Sequence, residues 1–221
     1  MKRIIQTELS ALGIRKASSP RLKPLIARLA ELQDAGLLSH DPLIVDQGCG
    51  QLRITKELLK HYHRIVVVET DFQLSRKHKF FDEKLTIPEF LKLRWSNHRI
   101  EVMSSTRFAK SQLRADVVFS VNVLDVTPPH TRGSILRAAR QNISQNGVFA
   151  VIVPKNESWT LRLCTKERKH ADGFVFSNHR AHTFYKNWQA APLRKLLKRY
   201  GFLVWEDLSR FRIACLICKP C

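Results

Sequence analysis

Acids are scarce in this chain: 19 Asp and Glu stand against 38 Lys and Arg among 221 residues, a formal net charge of +19. A field of that sign repels cationic partners and gathers polyanions, nucleic acid first among them. Long apolar runs are absent too. Nothing approaches the roughly 18 to 20 residues of a membrane-spanning helix, so no membrane role is expected. The basic start Met1-Lys2-Arg3-Ile4-Ile5 lacks a signal peptide's apolar block and cleavage pattern. Cysteines number only five, an odd count, and Cys49 sits inside a glycine turn, which speaks against a disulfide scaffold. A soluble, intracellular, cytoplasmic protein is the expectation. Cys215, Cys218 and Cys221 form a C-x-x-C-x-x-C tail, but zinc takes four ligands and residues three apart on a strand point to opposite faces, so no metal is expected. Cys164 with His170, His179 and His182 is a looser cluster that reads as exposed loop.

What is present centres on Leu43-Ile44-Val45-Asp46-Gln47-Gly48-Cys49-Gly50 and a second apolar run ending at Glu69. A buried strand stops at an acid, and two glycines let the backbone turn sharply beneath a ligand. Glu69 lies 19 residues beyond Gly50, the separation at which a carboxylate ending the second strand reaches both hydroxyls of a ribose. A dinucleotide would set its pyrophosphate over the turn and needs a third glycine where Arg53 stands. Asp46 would also repel that pyrophosphate. A cationic adenosine derivative fits better, and S-adenosylmethionine carries both a sulfonium and an ammonium group.

This arrangement resembles motif I and the following acid of class I S-adenosylmethionine-dependent methyltransferases. The resemblance implies that Asp46, Gly48, Cys49 and Gly50 border the methionine end and Glu69 the ribose. It departs at Leu52, where the commonest pattern D-x-G-x-G-x-G has its last glycine.

The order of elements agrees with a Rossmann-like α/β fold: a mostly parallel seven-stranded sheet, helices on both faces and an antiparallel edge strand. Apolar runs predict strands at 42–46, 65–69, 99–103, 115–123 and 148–153, the last after an Asn146-Gly147 turn. Helices are predicted over 51–62, from Pro129 to about 142, and over 192–200 before Gly201. Two closing strands follow at 202–205 and 211–217. Residues 1–40 form an N-terminal helical extension, with Ser18 or Ser19 opening a helix whose apolar spacing runs from Pro24 to Leu32 and stops at Gly36. Residues 41–221 form the main domain, with a basic insertion at about 155–190.

Two stretches mix cations with aromatics: 75–95, including Arg76, Lys77, Lys79, Phe80, Phe81 and Trp95, and 155–189, including Trp159, Arg162, Arg180, Tyr185 and Trp188. Cations can neutralise phosphates while aromatic faces stack on unpaired bases. In the second stretch, 173–176 and 182–185 alternate like two strands of a hairpin. Its phenylalanines and Trp188 also suit a small core beneath a lid. On the acceptor side, Asn122 is the foremost pocket and catalytic candidate, with Asp125 a proton acceptor, a hydrogen-bond partner or a helix-opening carboxylate. Ser104 is a candidate to border the adenine. No N-P-P-Y motif and no Pro-Cys nucleophile follow the fourth strand.

The reading that results is methyl transfer by direct displacement onto nucleic acid, RNA ahead of DNA. A small-molecule or protein methyltransferase, or a nucleic-acid-binding module with a vestigial pocket, remain as alternatives. Oligomeric state is not legible.

Overall fold

The structure, a computed structural model, describes residues 22–80, 83–155, 164–177, 182–210 and 213–221. Twelve strands and seven α-helices are described. The helices are α1 (Lys23–Asp34), α2 (Arg53–Leu58), α3 (Asp71–Ser75), α4 (Ile87–Arg94), α5 (Ser105–Phe108), α6 (Pro129–Asn142) and α7 (Ala190–Arg199). The main sheet contains β1 (Leu43–Gln47), β2 (Arg64–Glu69), β5 (Arg99–Ser104), β6 (Ala115–Val121), β7 (Ile143–Pro154), β11 (Phe202–Asp207) and β12 (Ile213–Pro220). Its order is β11-β12-β7-β6-β1-β2-β5, with β12 antiparallel to both neighbours and the five strands from β7 to β5 parallel. Order reverses beside β1, so the ends of β1, β2 and β6 frame the crevice where ligands of such sheets bind. Small sheets lie outside it: β3 (His78–Phe80) with β4 (Glu83–Leu85), and β8 (Lys169–His170), β9 (Gly173–Ser177) and β10 (His182–Tyr185).

Strand alternation splits the interior into two apolar layers. Ile44, Ile65, Val67, Val117, Phe119, Ala150 and Ile152 face one layer, which α1, α2 and α4 cover. Val45, Val66, Val68, Val118, Phe149 and Val151 face the other, with Leu136 and Ala139 of α6 and Leu193 and Leu197 of α7. On α1, Leu25, Leu29 and Leu32 are buried at helical spacing, each stabilising the fold by roughly 1.5 to 3 kcal/mol. The same helix is tied to the far sheet edge, where Arg28 donates to both Glu206 carboxylate oxygens at 2.6–2.9 Å. Gly36, at φ +69°, supplies the left-handed stop expected of it.

Several boundaries move from their expected places. The 51–62 helix is shorter, because Gly50 and Leu52 both take positive φ and delay α2 to Arg53. Strand β6 ends at Val121, since Asn122 turns into the left-handed region at φ +54°. Asn146-Gly147 is no turn: β7 starts at Ile143 and passes through it. Pairing jumps there from Ala115↔Ile143 to Val117↔Val148, so the extra residues form a bulge. Helix α7 begins two residues before Pro192, which its first turn tolerates. The expected strand from 211 appears as β12 from Ile213, residues 211–212 lying outside the described set.

Candidate functional site

Gly48 holds φ +79°, and a Cβ there would lie 2.5 Å from Val123 Cγ2, so only glycine fits beneath the loop that follows β6. Its N–H donates to Val68 O at 2.8 Å, and the Cys49 N–H to the same oxygen at 3.2 Å. Gly50, at φ +52°, donates its N–H to Glu69 Oε2 at 3.0 Å, while Thr70 N–H reaches Glu69 Oε1 at 2.8 Å. The half-buried Glu69 therefore ties the glycine turn to the end of β2. Ser104, paired with Glu69 in register, uses its hydroxyl to accept the Arg107 N–H and open α5.

Asp46 is 1% exposed and accepts a hydrogen bond from the Thr55 hydroxyl at 2.6 Å. Burial first, and the Glu69 charge second, push its carboxyl up to about 6, against the Thr55 bond. Burial likewise raises Glu69, opposed by the backbone N–H groups of Thr70 and Gly50. The Cys49 thiol is raised well above its ordinary value, mainly by burial and further by both acids, and stays neutral. Two partly desolvated carboxylates that repel each other form a cradle a cation would relieve. Phe72, three residues past Glu69 on α3, leaves 56% of its surface exposed and so offers a free ring face at the same strand end.

Across the crevice, Asn122 donates its N–H to Ile152 O at 2.8 Å, and its buried Oδ1 finds no partner among the described residues. A ligand donor could satisfy it. Asp125 is buried, at 1% exposed, and α6 opens at Pro129 with Pro128 before it, so Asp125 does not cap that helix. Its carbonyl accepts the Lys186 N–H at 2.6 Å, which pins the insertion to this loop. Beside it stands Arg132, only 2% exposed, donating from Nε to Leu124 O at 2.8 Å and from Nη1 to Asp172 Oδ2 at 2.6 Å. Its guanidinium lies 5.2 Å from the Phe184 ring and 5.0 Å from the Trp188 ring. Lys186 Nζ shares Asp172 Oδ2 at 2.6 Å and sits 4.4 Å from the Trp188 ring. Burial pushes the Asp172 carboxyl up, but hydrogen bonds from Lys186 and Arg132 outweigh it and hold the group below its usual value.

The structure thus brings Asp46, Gly48, Cys49, Gly50 and Glu69 together, sets Ser104 beside Glu69, and places Asn122 at the facing strand end. The expected hairpin is present as antiparallel β9 and β10, with His182 opposite Ser177 and Tyr185 opposite Phe174. Its aromatics are not free for stacking on bases, however. Phe176, Phe184, Tyr185 and Trp188 are at most 5% exposed: Phe176 and Tyr185 form the insertion's own small core, Phe184 and Trp188 flank Arg132, and Trp188 also packs into the α6–α7 layer of the main sheet. Phe80 is likewise buried, stacked on Phe90 at 4.3 Å. Ser18, Ser19, Phe81, Trp159, Arg162, His179 and Arg180 lie outside the described residues. Cys215 packs in one apolar layer and Cys218 in the other, so the tail thiols do not converge. No helix among the described residues is long and apolar enough to cross a membrane.

Sequence reading missed Thr55, Val123 and the Arg132–Asp172 pair. Only Arg132 left a signal: it lies four and seven residues before Leu136 and Ala139, on the stripe of α6 that faces the core.

A family model described as a methyltransferase domain matches residues 14–207. An uncharacterised Escherichia coli (strain K12) protein, YmfD, is 19% identical over 166 residues, 75% of this chain and 74% of that protein. Among solved structures, Burkholderia thailandensis 1,6-didemethyltoxoflavin-N1-methyltransferase, bound to 1,6-didemethyltoxoflavin and S-adenosylhomocysteine, superposes with TM-score 0.57 at 15% identity, covering 93% of this chain and 92% of that one. Magnesium protoporphyrin IX methyltransferase from Synechocystis PCC 6803, with S-adenosylhomocysteine bound, gives TM-score 0.57 at 16% identity over 98% and 89%. At such identities the likeness to these structures is one of fold.

Proposed function

The chain belongs to the methyltransferase-domain family, and from that premise we propose that it moves the methyl group of S-adenosylmethionine, by direct displacement, onto a compact acceptor beneath the 166–189 insertion. The observation that carries the donor half is the joining of Gly50 N–H to Glu69 Oε2 at 3.0 Å, with Glu69 close enough to Asp46 for its charge to help raise the Asp46 carboxyl. Residues far apart in sequence become one cradle with the sign and shape for a cationic adenosine derivative.

S-adenosylmethionine supplies an activated methyl on a sulfonium, so the protein's task is alignment more than proton chemistry. Asp46 and the Gly48–Gly50 turn hold the positively charged methionine end, Glu69 accepts from the ribose hydroxyls, and Phe72 offers its exposed ring to the purine. Asn122 Oδ1 is free to accept from the donor's ammonium or from an acceptor N–H. Asp125, buried against the insertion, positions that loop rather than facing open solvent.

The compact acceptor is favoured by the insertion itself: its aromatics are packed inward and Arg132 pins it, which suits a lid better than a base-stacking platform. Nucleic acid as acceptor is the second reading, favoured by the net charge of +19. Isothermal titration with S-adenosylhomocysteine tests the donor site. Binding is expected, and Asp46→Ala and Glu69→Ala should each weaken it by roughly 1 to 3 kcal/mol. No binding to the native protein would leave only a module with a vestigial pocket. Labelled methyl from S-adenosylmethionine, offered with a cell extract, should enter low-mass material. Label that nuclease releases would favour the second reading.

A further inference from the structure

Helices α6 (PHTRGSILRAARQN) and α7 (AAPLRKLLKR) lie on one face of the main sheet and contain not one acid. Their apolar stripes turn inward through Leu136, Ala139, Leu193 and Leu197. Arg137, Lys195, Lys198 and Arg199 are exposed. Tyr200 joins the helices: its hydroxyl lies 2.5 Å from where a Cβ on Gly133 would stand, and Arg137 lies 5.8 Å from its ring centroid. Lys195, Lys198 and Arg199 follow i, i+3, i+4 spacing and so share a ridge. Among the described residues, the only α7 side chain in an ion pair is Arg194, with Asp207. The helix dipole accounts for cations in a last turn, as with Arg140, Lys198 and Arg199, but not for Arg137 and Lys195 further upstream. At the foot of α6 an open cleft of about 460 Å³ continues the surface, lined by Gln112, Arg114, Gln141, Ile143, Ser144 and Gln145. It too has no carboxylate.

We propose that the α6–α7 face, with the cleft at its foot, docks the phosphodiester backbone of a nucleic acid beside the methyl-transfer crevice rather than in it. Charge complementarity selects the partner: cations with no internal acid to pair with are neutralised by phosphates and release counterions. An anionic membrane fits less well, because the large exposed apolar residues Leu37, Phe72, Leu93, Leu203 and Trp205 all lie outside α6 and α7, leaving nothing on this face to enter lipid. Position separates docking from chemistry. Helix α6 starts at the crevice, and Arg137 lies eight residues along it, about 12 Å down the axis. Nucleic acid held there is a partner whatever the acceptor is, so this inference stands apart from the compact-acceptor reading.

The test is fluorescence anisotropy with labelled oligouridine and, in a parallel arm, labelled duplex DNA, at several salt concentrations on the full chain. The triple variant K195E/K198E/R199E should weaken binding at least about tenfold and reduce the salt slope for the single strand by roughly 2. The charge-matched K79E/K84E/K92E, on the β3–β4 hairpin and α4, should bind like the wild type. S-adenosylhomocysteine affinity, measured on the same samples, should be equal in all three proteins. RNA and DNA bound alike would mark backbone recognition, and preference for one would name the source. Equal weakening by both triple variants would reduce the effect to net charge and overturn the proposal. So would absence of nucleic-acid binding, or binding only to vesicles of equimolar phosphatidylserine and phosphatidylcholine.

Discussion

Asp46 holds a charge at a position that resists it, since burial has lifted its carboxyl from 3.8 to about 6. A carboxyl raised on folding binds its proton more tightly in the native state, so ionisation works against the fold. The penalty is absent below pH 3.8, grows between there and about 6, and is complete above. A rise of that size corresponds to roughly 3 kcal/mol. The apoprotein of Asp46→Asn should therefore lose less stability than the wild type as pH rises through that window, by urea unfolding at successive pH values. Identical pH profiles would place the charge in water. A bound cation reverses the preference, so affinity for S-adenosylmethionine should fall as pH drops below about 6 and Asp46 takes up its proton. The two glycines give a second contrast. Gly48→Ala meets both a positive φ and Val123 Cγ2 at 2.5 Å, so it should cost about 2 to 4 kcal/mol, strain and overpacking together. Gly50→Ala, with nothing nearer than the Gly48 carbonyl at 4.0 Å, should cost about 1 kcal/mol. Chemical denaturation of the two variants ranks them, and equal losses would mean that Val123 yields.

At the scale of elements, the buried parallel strands were legible because Val45, Val66–Val68 and Val117–Phe119 are apolar on both faces, a pattern that requires covering layers on each side. The glycine turn and Glu69 could be read from their spacing. The β3–β4 hairpin and α4 could not, because a cation-rich surface conceals the period, and Phe80 and Phe90 reveal themselves only on contact. Nor does anything in the sequence announce that Arg132 and Asp172, forty residues apart, form a pair. That pair nevertheless joins the Lys186 N–H bond to Asp125 O in coupling the insertion to the loop after β6. Arg132→Met keeps the bulk between Phe184 and Trp188 while removing the bonds to Leu124 O and Asp172. Because Asp172 retains Lys186, the loss should be modest, about 1 to 3 kcal/mol. Hydrogen exchange should accelerate in β9, β10 and the Lys186 amide and leave β1 and β2 unchanged. Uniform acceleration would make Arg132 an ordinary core residue rather than the fastening of the insertion.

Over the whole molecule, twice as many cations as acids means that ion pairs cannot absorb the excess charge. A compact chain of this length has a radius of gyration of about 17 Å. The Debye length falls from about 30 Å at 0.01 M salt to 8 Å at 0.15 M, so at low salt every cation feels most of the others and at higher salt few of them. Screening also weakens attractive pairs such as Lys60–Glu57 and Arg94–Glu83, but these are exposed and worth at most about 1 kcal/mol each. The Arg132–Asp172 bond starts from a guanidinium only 2% exposed and is screened far less. Relief of repulsion should therefore win. The thermal midpoint of the apoprotein should rise by a few degrees between those two sodium chloride concentrations, about 2 to 4 °C for each kcal/mol gained. Reversing Lys195, Lys198 and Arg199 to glutamate should flatten that rise, because each reversal replaces a cation on that face with an anion. A midpoint that falls with salt would show attraction within pairs to be the larger effect, and the excess charge to be spread too evenly to strain the fold.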